Sequence, residues 1–321
     1  MGAIILRPGL LRAGGLGLAL VLLTALVYAT GLGTGWIGER IAALSAALEG
    51  HPSAVRLLAA AVVATLLVLN GIALVRLPRS QQVALIWAEL GVLVLAFFYS
   101  FDLSFEFIWR KIGFLITQGV TTTLLISAAS IVIASVLAMV GAIAKLSQSG
   151  IAYGLATFYT SLFRGLPLLM QIYIIYLGLP QLGYVVGPVT AGIAALSLCY
   201  GAYMTEIFRA GIESIAKGQA EAATALGLSP RQTLWLVVLP QAMRVIIPPT
   251  GNQFIAMLKD SSLVSVVGVW ELMYLARTQG QTEFRHIEML ITASMIYWAL
   301  SMGLEFAQAR LERRYARSTR R

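Results

Sequence analysis

The stretch Gly218–Pro249 has the sequence GQAEAATALGLSPRQTLWLVVLPQAMRVIIPP and is the one long polar interruption in the apolar second half of the chain. Its first part, 219–226, is rich in alanine with glutamate and leucine, which are strong helix formers. Gly227 supplies the left-handed residue that ends a helix at little cost. Ser229 and Gln232 form the pattern of a capping box, and the proline between them suits the first position of a new helix. The stretch therefore predicts a compact helix-turn-helix.

Three further prolines lie within the same stretch. A proline in a helix interior removes one backbone hydrogen bond and clashes with the preceding turn. Pro240, and then Pro248 with Pro249, are therefore expected to end the second helix. Because apolar chain holds this element on both sides, it has the character of a docking surface for another protein at a membrane face.

The composition excludes a soluble domain. Hydrophobic residues make up 59% of the 321 residues and charged residues only 12%, with a mean hydropathy of +0.83. We therefore predict an all-α polytopic membrane protein. The net charge of +9 does not indicate a nucleic-acid partner, because the charges lie at the ends of apolar runs and not in a patch with aromatic residues. The single cysteine, Cys199, excludes an internal disulfide and is expected to be buried.

Hydropathy and charge predict about eight transmembrane helices, with both termini on the cytoplasmic side. Basic residues cluster at alternate ends of the apolar runs, as expected for cytoplasmic ends. The same assignment places the helix-turn-helix in the cytoplasm. The predicted spans are 13–29, 54–75, 83–101, 120–144, 151–179, 189–208, 250–275 and 289–307. The predicted segments outside them include a short surface helix at 37–48, an amphipathic interfacial helix at 102–111 and a charged outer loop at 277–288.

Four motifs resemble those of one transporter family. Glu221-Ala222-Ala223, followed by Gly227 and Leu239-Pro240, resembles the EAA loop of bacterial ABC importer permeases, with valine at 237 where isoleucine is usual. Three further motifs are similar to those of the polar amino acid subfamily: RGLPLL at 164–169, EIFRAGI at 206–212 and KDSSLV at 259–264. The four occur in the family's order, and the resemblance covers residues 105–310.

This resemblance implies the membrane-spanning permease of an ATP-driven importer, with a type I ABC importer core of five transmembrane helices. It implies that the EAA loop docks on a separate ATPase, through Glu221, Ala222, Ala223, Gly227, Leu239 and Pro240. A dimer of that ATPase would hydrolyse ATP with Mg²⁺, so this chain is expected to bind no cofactor itself. Five helices enclose only half a pathway, so the resemblance implies a second permease, identical or homologous. It also implies an extracytoplasmic binding protein that delivers the substrate. The alternative interpretation of the loop is an ordinary amphipathic cytoplasmic hairpin.

The resemblance also predicts how the chain is divided. The permease core is expected at 105–310, with the EAA loop at about 209–248. Residues 1–104 form an N-terminal extension with three transmembrane helices, which the family pattern does not cover, and 311–321 form a basic cytoplasmic tail. The first apolar run ends in a passable signal-peptidase site at 27–29, but its near-spanning length favours a transmembrane helix.

Lys259 and Asp260 lie in an apolar stretch, where an ionisable pair is costly unless it is paired or faces water. Together with Ser261 and Ser262 they are candidates for lining the substrate path near its gate or cavity. One alternative places 250–260 at the cytoplasmic interface, with a short span beginning at Ser261. Another gives the pair a purely structural role.

Arg164 is a further candidate for the substrate path. Gly165 and Pro167 indicate a local helix break, which membranes tolerate where the backbone faces a cavity or another helix. Arg164 could then bind a substrate carboxylate, and pairing with an acid or anchoring at the inner interface are the alternatives. Glu206 and Arg209 lie three residues apart at a helix end, which predicts a local ion pair.

The sequence also bears on enzymatic activity, metal binding and the other classes of membrane protein. The sequence has no P-loop string, and we expect a transport subunit without enzymatic activity of its own. Two isolated histidines and one cysteine predict no metal site. Polar amino acids are the expected substrates, with cystine or an opine as alternatives in the same machinery. A secondary amino acid transporter, which would usually show half-repeats, and a membrane scaffold are the alternatives from other classes. The expected location is the bacterial cytoplasmic membrane.

Overall fold

The computed structural model describes residues 13–31, 51–99, 101 and 103–317. These residues form helices joined by turns, with no strand among them. The chain divides into two compact units, Met1–Tyr99 and Ser100–Arg321. The predicted surface helix at 37–48 lies outside the described residues.

Three apolar helices are described in the first unit. They are α1 (Ala13–Thr30), α2 (Pro52–Val75) and α3 (Arg79–Tyr99). Helix α1 packs along α2, and the guanidinium carbon of Arg56 lies 5.2 Å from the ring centroid of Tyr28. Both α2 and α3 are long and apolar enough to cross a membrane, in agreement with the spans predicted at 54–75 and 83–101.

The described residues of the second unit form eight helices. They are α4 (Phe105–Leu146), α5 (Gly150–Gly165), α6 (Leu168–Gln181), α7 (Pro188–Glu213), α8 (Lys217–Ala225), α9 (Pro230–Val267), α10 (Leu272–Thr282) and α11 (His286–Arg317). Three of them contain π-helical turns, at 115–120 in α4, at 174–178 in α6 and at 233–238 in α9. Helix α9 ends in a 3₁₀ stretch, Ser261–Val267.

The centre of this unit is the contact between α4 and α7. The Ser197 hydroxyl donates to the Ser130 carbonyl at 3.4 Å, and further along both helices a Cβ on Gly141 would lie 2.5 Å from the Thr205 hydroxyl oxygen. The two helices therefore run parallel at close approach. Small side chains permit such an approach in lipid. Those buried on α4 are Ser127, Ser130, Ala134, Ala138, Gly141 and Ala142.

Helix α9 continues through all three prolines. The prediction that Pro240, Pro248 and Pro249 end the helix is therefore wrong. Pro240 directly follows the π-helical turn, whose wider ring changes the i−4 geometry that proline disrupts. Next to the proline pair, the Thr250 hydroxyl donates to a backbone carbonyl one turn earlier at 2.8 Å. The Gln308 amide donates to the Pro248 carbonyl at 3.0 Å, which ties this part of α9 to α11.

Other sequence-based boundaries also change. Among the described residues six helices are long and apolar enough to cross a membrane, or seven if α5 and α6 form one bent span, so the count of eight is not confirmed. The predicted interfacial helix at 102–111 is the first part of α4 and not a separate element. Helix α10 occupies part of the predicted charged loop. No short helical span begins at Ser261, because 261–267 continue α9.

A buried carboxylate, Glu271, joins three helices at the end of α9. It caps α10 by accepting hydrogen bonds from the backbone N–H groups of Met273 and Tyr274, at 2.8 and 2.7 Å. The hydroxyl of Tyr297 on α11 donates to the same carboxylate at 2.6 Å. The next backbone N–H, of Leu272, donates to Thr123 on α4 at 3.2 Å. Glu271 is fully buried, so this cap also fixes how α4, α10 and α11 meet.

The cap predicts that Glu271 contributes more to stability than an exposed carboxylate does. Glu271→Gln keeps the size of the side chain but removes one oxygen that accepts a backbone N–H of α10, which should cost about 1–3 kcal/mol.

The measurement is the melting temperature of the purified chain in detergent. Glu106→Gln, which alters an exposed carboxylate at the start of α4, should melt like the wild type. Equal melting temperatures of the two variants would contradict the prediction.

Candidate functional site

The predicted helix-turn-helix is present at the junction of α8 and α9, and we call it the hairpin (Lys217–Val238). Helix α8 ends in a Schellman motif, in which the N–H of Leu228 donates to the Ala223 carbonyl at 3.1 Å. Gly227 adopts φ +81°, a conformation that costs glycine little. Ser229 and Gln232 form the capping box. The turn is thus fixed by local hydrogen bonds, as the sequence indicated.

The hairpin presents part of the EAA motif to the outside. Glu221 and Ala222 are exposed, and Leu226 is 83% exposed at the tip. Ala223 is buried as α8 packs against the π-helical turn of α9. The motif therefore divides into an outward surface and one residue that packs the hairpin. Beyond the hairpin, Leu239 is buried and Pro240 is exposed.

An ionic cluster centred on Glu206 joins three helices near the hairpin. The Lys145 ammonium of α4 donates to the Glu206 carboxylate, and the Arg209 Nε donates to it at 3.0 Å. Arg164 of α5 places Nη1 3.9 Å from the same carboxylate. The predicted Glu206–Arg209 ion pair is confirmed, and the carboxylate also links α7 to α4 and α5. Arg209 additionally pairs with Glu213 at 2.6 Å.

Arg164 lies where two cavities meet. One, of about 420 Å³, is lined by Lys145, Arg164, Tyr203 and Glu206 among others. The second, of about 480 Å³, shares Arg164 and Tyr203 and also contains Asp260 in its wall. We call the second one the Arg164–Asp260 cavity. Its wall holds one cationic and one anionic side chain with no ion pair between them in the described part of the chain.

Aromatic side chains position both charged groups of this cavity. The guanidinium carbon of Arg164 lies 5.3 Å from the centroid of the Tyr203 ring, a cation–π contact. The Tyr200 hydroxyl donates to the Asp260 carboxylate at 2.8 Å. Each charge is thereby held in place while remaining available to a bound molecule.

The break between α5 and α6 forms one wall of the same cavity. The two helices meet at 105°, so the break predicted around Gly165 and Pro167 is confirmed. The buried side chain of Gln171 closes this break, because its Nε2 donates to the carbonyls of Phe163 and Leu166, both at 2.9 Å. Backbone groups that the break would leave unpaired are thus hydrogen-bonded inside the protein.

The structure separates the four candidates at the end of α9. Asp260 lines the cavity, whereas the neighbouring Lys259 is exposed and outside its wall. Ser261 is fully buried and donates to the Leu258 carbonyl at 2.7 Å. Ser262 is half-buried and also outside the wall. Adjacent residues on a helix point about 100° apart, so one motif spreads its side chains over several directions.

A family comparison agrees with this geometry. Residues 136–317 match the model of a family described as "Binding-protein-dependent transport system inner membrane component". The chain belongs to this family. The match confirms the resemblance drawn from the four motifs, and the fold is that of a type I ABC permease. It begins after the first unit and includes the whole hairpin.

Two curated relatives from Bacillus subtilis (strain 168) have similar sequences. The arginine transport system permease protein ArtQ is 39% identical over 214 residues, covering 66% of this chain and 97% of ArtQ. The L-cystine transport system permease protein TcyB is 37% identical over 204 residues, covering 63% of this chain and 87% of TcyB. Both relatives therefore align over most of their own length.

A solved structure supports the same fold. A crystal structure of an amino acid ABC transporter with histidines contains a chain that superposes on this permease with a TM-score of 0.62 and 33% sequence identity. The superposition covers 66% of this permease and 99% of that chain. This permease is thus a transport subunit of an ABC transporter.

Several residues that line the Arg164–Asp260 cavity were not predicted from the sequence, although their helical spacing indicates a common face. Tyr200 and Tyr203 precede Glu206 at intervals of three, which places all three on one face of α7. Gln253 lines the cavity seven residues, or two turns, before Asp260 on α9. Polar residues at such intervals within apolar helices indicate a shared polar surface. Among the described residues, no group of His, Cys, Asp and Glu side chains could hold a metal ion.

The ionic cluster centred on Glu206 predicts that Glu206 contributes more to stability than Glu213 does. In Glu206→Gln the Lys145 ammonium, whose side chain is only 10% exposed, loses its counter-ion, and we expect a loss of about 1–3 kcal/mol of stability. In Glu213→Gln, which removes one pair at a half-exposed acid, the loss should stay within about 1 kcal/mol. Melting temperatures of both variants in detergent test this, and equal losses would contradict the central place given to Glu206.

Proposed function

We propose that this permease imports polar amino acids as one half of the membrane path of an ATP-driven importer. The observation that carries the proposal is the Arg164–Asp260 cavity. An α-amino acid bears a carboxylate that suits a guanidinium and an ammonium that suits a carboxylate. One cavity wall offers both partners, and the names of ArtQ and TcyB assign arginine and L-cystine transport to two relatives.

Energy reaches this cavity from a separate ATPase in the proposed mechanism. The exposed Glu221 and Ala222 on the hairpin form the docking surface, and a dimer of the ATPase binds ATP and Mg²⁺. A short turn joins α8 to α7, and α7 carries Glu206. A movement of the hairpin would therefore act on the ionic cluster and, through Arg164, on the cavity. This linkage supports alternating access driven by ATP.

The proposed complex contains further subunits. A second permease, identical or homologous, completes the path, and an extracytoplasmic binding protein delivers the substrate. The hairpin and both termini face the cytoplasm of a bacterium, and the permease lies in its cytoplasmic membrane. Basic residues at the hairpin end of the bundle, such as Lys145 and Arg209, support this orientation.

Uptake measurements decide between this function and its alternatives. Cells with and without the permease are supplied with labelled amino acids, cystine and an opine, first with ATP depleted and then with the proton gradient collapsed. We expect the loss of one ATP-dependent uptake. A substrate outside the polar amino acids would select the cystine or opine alternative. Uptake that follows the proton gradient would overturn the ABC mechanism in favour of a secondary transporter.

Two neighbouring variants test the cavity in the same assay. Asp260→Asn removes a charged partner for the substrate ammonium, which should cost about 1.5–3 kcal/mol. The concentration for half-maximal uptake into liposomes, measured with the whole complex, should then rise about ten- to hundredfold. Lys259→Gln changes an exposed charge outside the wall and should leave this value unchanged. Equal effects would contradict the assignment of the cavity.

The coupling assignment makes a separate prediction at Gly227. In Gly227→Val a β-branched residue must adopt φ +81°, which strains the turn that positions α8. Substrate uptake should be lost while ATP hydrolysis no longer responds to the loaded binding protein. Gly183→Val places the same strain at φ +89° in the turn before α7, away from the hairpin, and should retain coupling. Normal uptake in Gly227→Val would refute the docking role.

A further inference from the structure

A large groove lies between the hairpin and the ends of α4 and α7. Its volume is about 1030 Å³, at the upper end of the range of about 300–1,000 Å³ that is typical of ligand sites. We call it the hairpin groove, and most of its wall is apolar. Its apolar lining includes Leu146, Ile215, Ala220, Leu234, Trp235 and Val238.

The hairpin groove continues into a second, narrower depression between α4, α7 and α9. This second depression has a volume of about 480 Å³ and an almost entirely apolar wall. Ile143 and Trp235 line both. Val136 and Val140, further from the hairpin along α4, line the second depression and are largely exposed. A continuous apolar path therefore runs from the hairpin along the surface of a membrane-spanning helix.

The hairpin end of this path is cationic. Lys217 and Arg231 both line the hairpin groove, and no ion pair joins either of them to a described carboxylate. Glu213 also lines the groove, but its carboxylate pairs with Arg209 at 2.6 Å. Two uncompensated positive charges thus face the groove at one end.

We propose that the hairpin groove binds an anionic phospholipid. The phosphate lies between Lys217 and Arg231, while an acyl chain follows the apolar path along α4. Arginine and lysine are the side chains that recognise phosphate, and basic pockets between membrane helices suit anionic headgroups. The lipid would brace the hairpin from its membrane side, so coupling would depend on the anionic lipid content of the membrane.

The test measures lipid binding by the purified full-length chain, so it does not depend on the transport proposal. The chain in detergent is titrated with phosphatidylglycerol, with phosphatidylcholine or with inorganic phosphate. Bound lipid is counted by native mass spectrometry, and the melting temperature is followed in parallel. We expect phosphatidylglycerol to bind and to raise the melting temperature, while phosphatidylcholine and phosphate do neither. Equal effects of phosphatidylcholine or of phosphate would overturn the proposal.

Matched charge variants locate the site. Arg231→Gln and Lys217→Gln should each weaken phosphatidylglycerol binding about tenfold, the loss expected for one charge-assisted contact. Arg244→Gln removes an equal charge from an exposed position of α9 outside the groove and should bind like the wild type. Equal phosphatidylglycerol binding by the wild type and all three variants would overturn the site. The site would also be overturned if the chain formed a dimer without lipid and only Arg231→Gln dissociated it, because a second copy would then occupy the groove.

Discussion

Helices in lipid gain little from hydrophobic association, so the second unit depends on how closely α4 and α7 approach. Small residues on α4 and the Gly141–Thr205 contact allow that approach. Polar contacts then fix the middle of α4 and its end near the hairpin. Thr123 binds the start of α10 beside the buried Glu271, and Lys145 binds Glu206 of α7. These contacts fix the orientation of α4 and α7 relative to each other. The other helices of the unit pack around this pair.

Local sequence signals predicted local structure well. The glycine turn and capping box of the hairpin, and the break between α5 and α6, depend on residues within a few positions of each other, and the structure has them. The prolines of α9 were misjudged because the sequence does not show the π-helical turn before Pro240 or the packing of α9 against α11, where Gln308 contacts Pro248 from 60 residues away. Apolar length alone also gave eight spans, because it counted the first apolar run at 13–29, whose described helix belongs to the shorter apolar helices.

The sequence identified individual residues of the candidate site but not which of them lie together. Arg164 and Asp260 line one cavity, while Lys259, adjacent to Asp260 in the sequence, points away. The partners of Glu206 include Lys145, 61 residues away, and no spacing rule reveals such a pair. The periodic signal from Tyr200, Tyr203 and Gln253 was available, because helical intervals of three and seven mark a common face.

The Gln171 side chain has a consequence for motion. From α6 it holds the carbonyls of Phe163 in α5 and of Leu166 in the bend itself. A change in the angle between the two helices would break these hydrogen bonds, so the bend resists use as a hinge. The part of the cavity wall that the bend forms is therefore stiffer than an unbraced helix break would be.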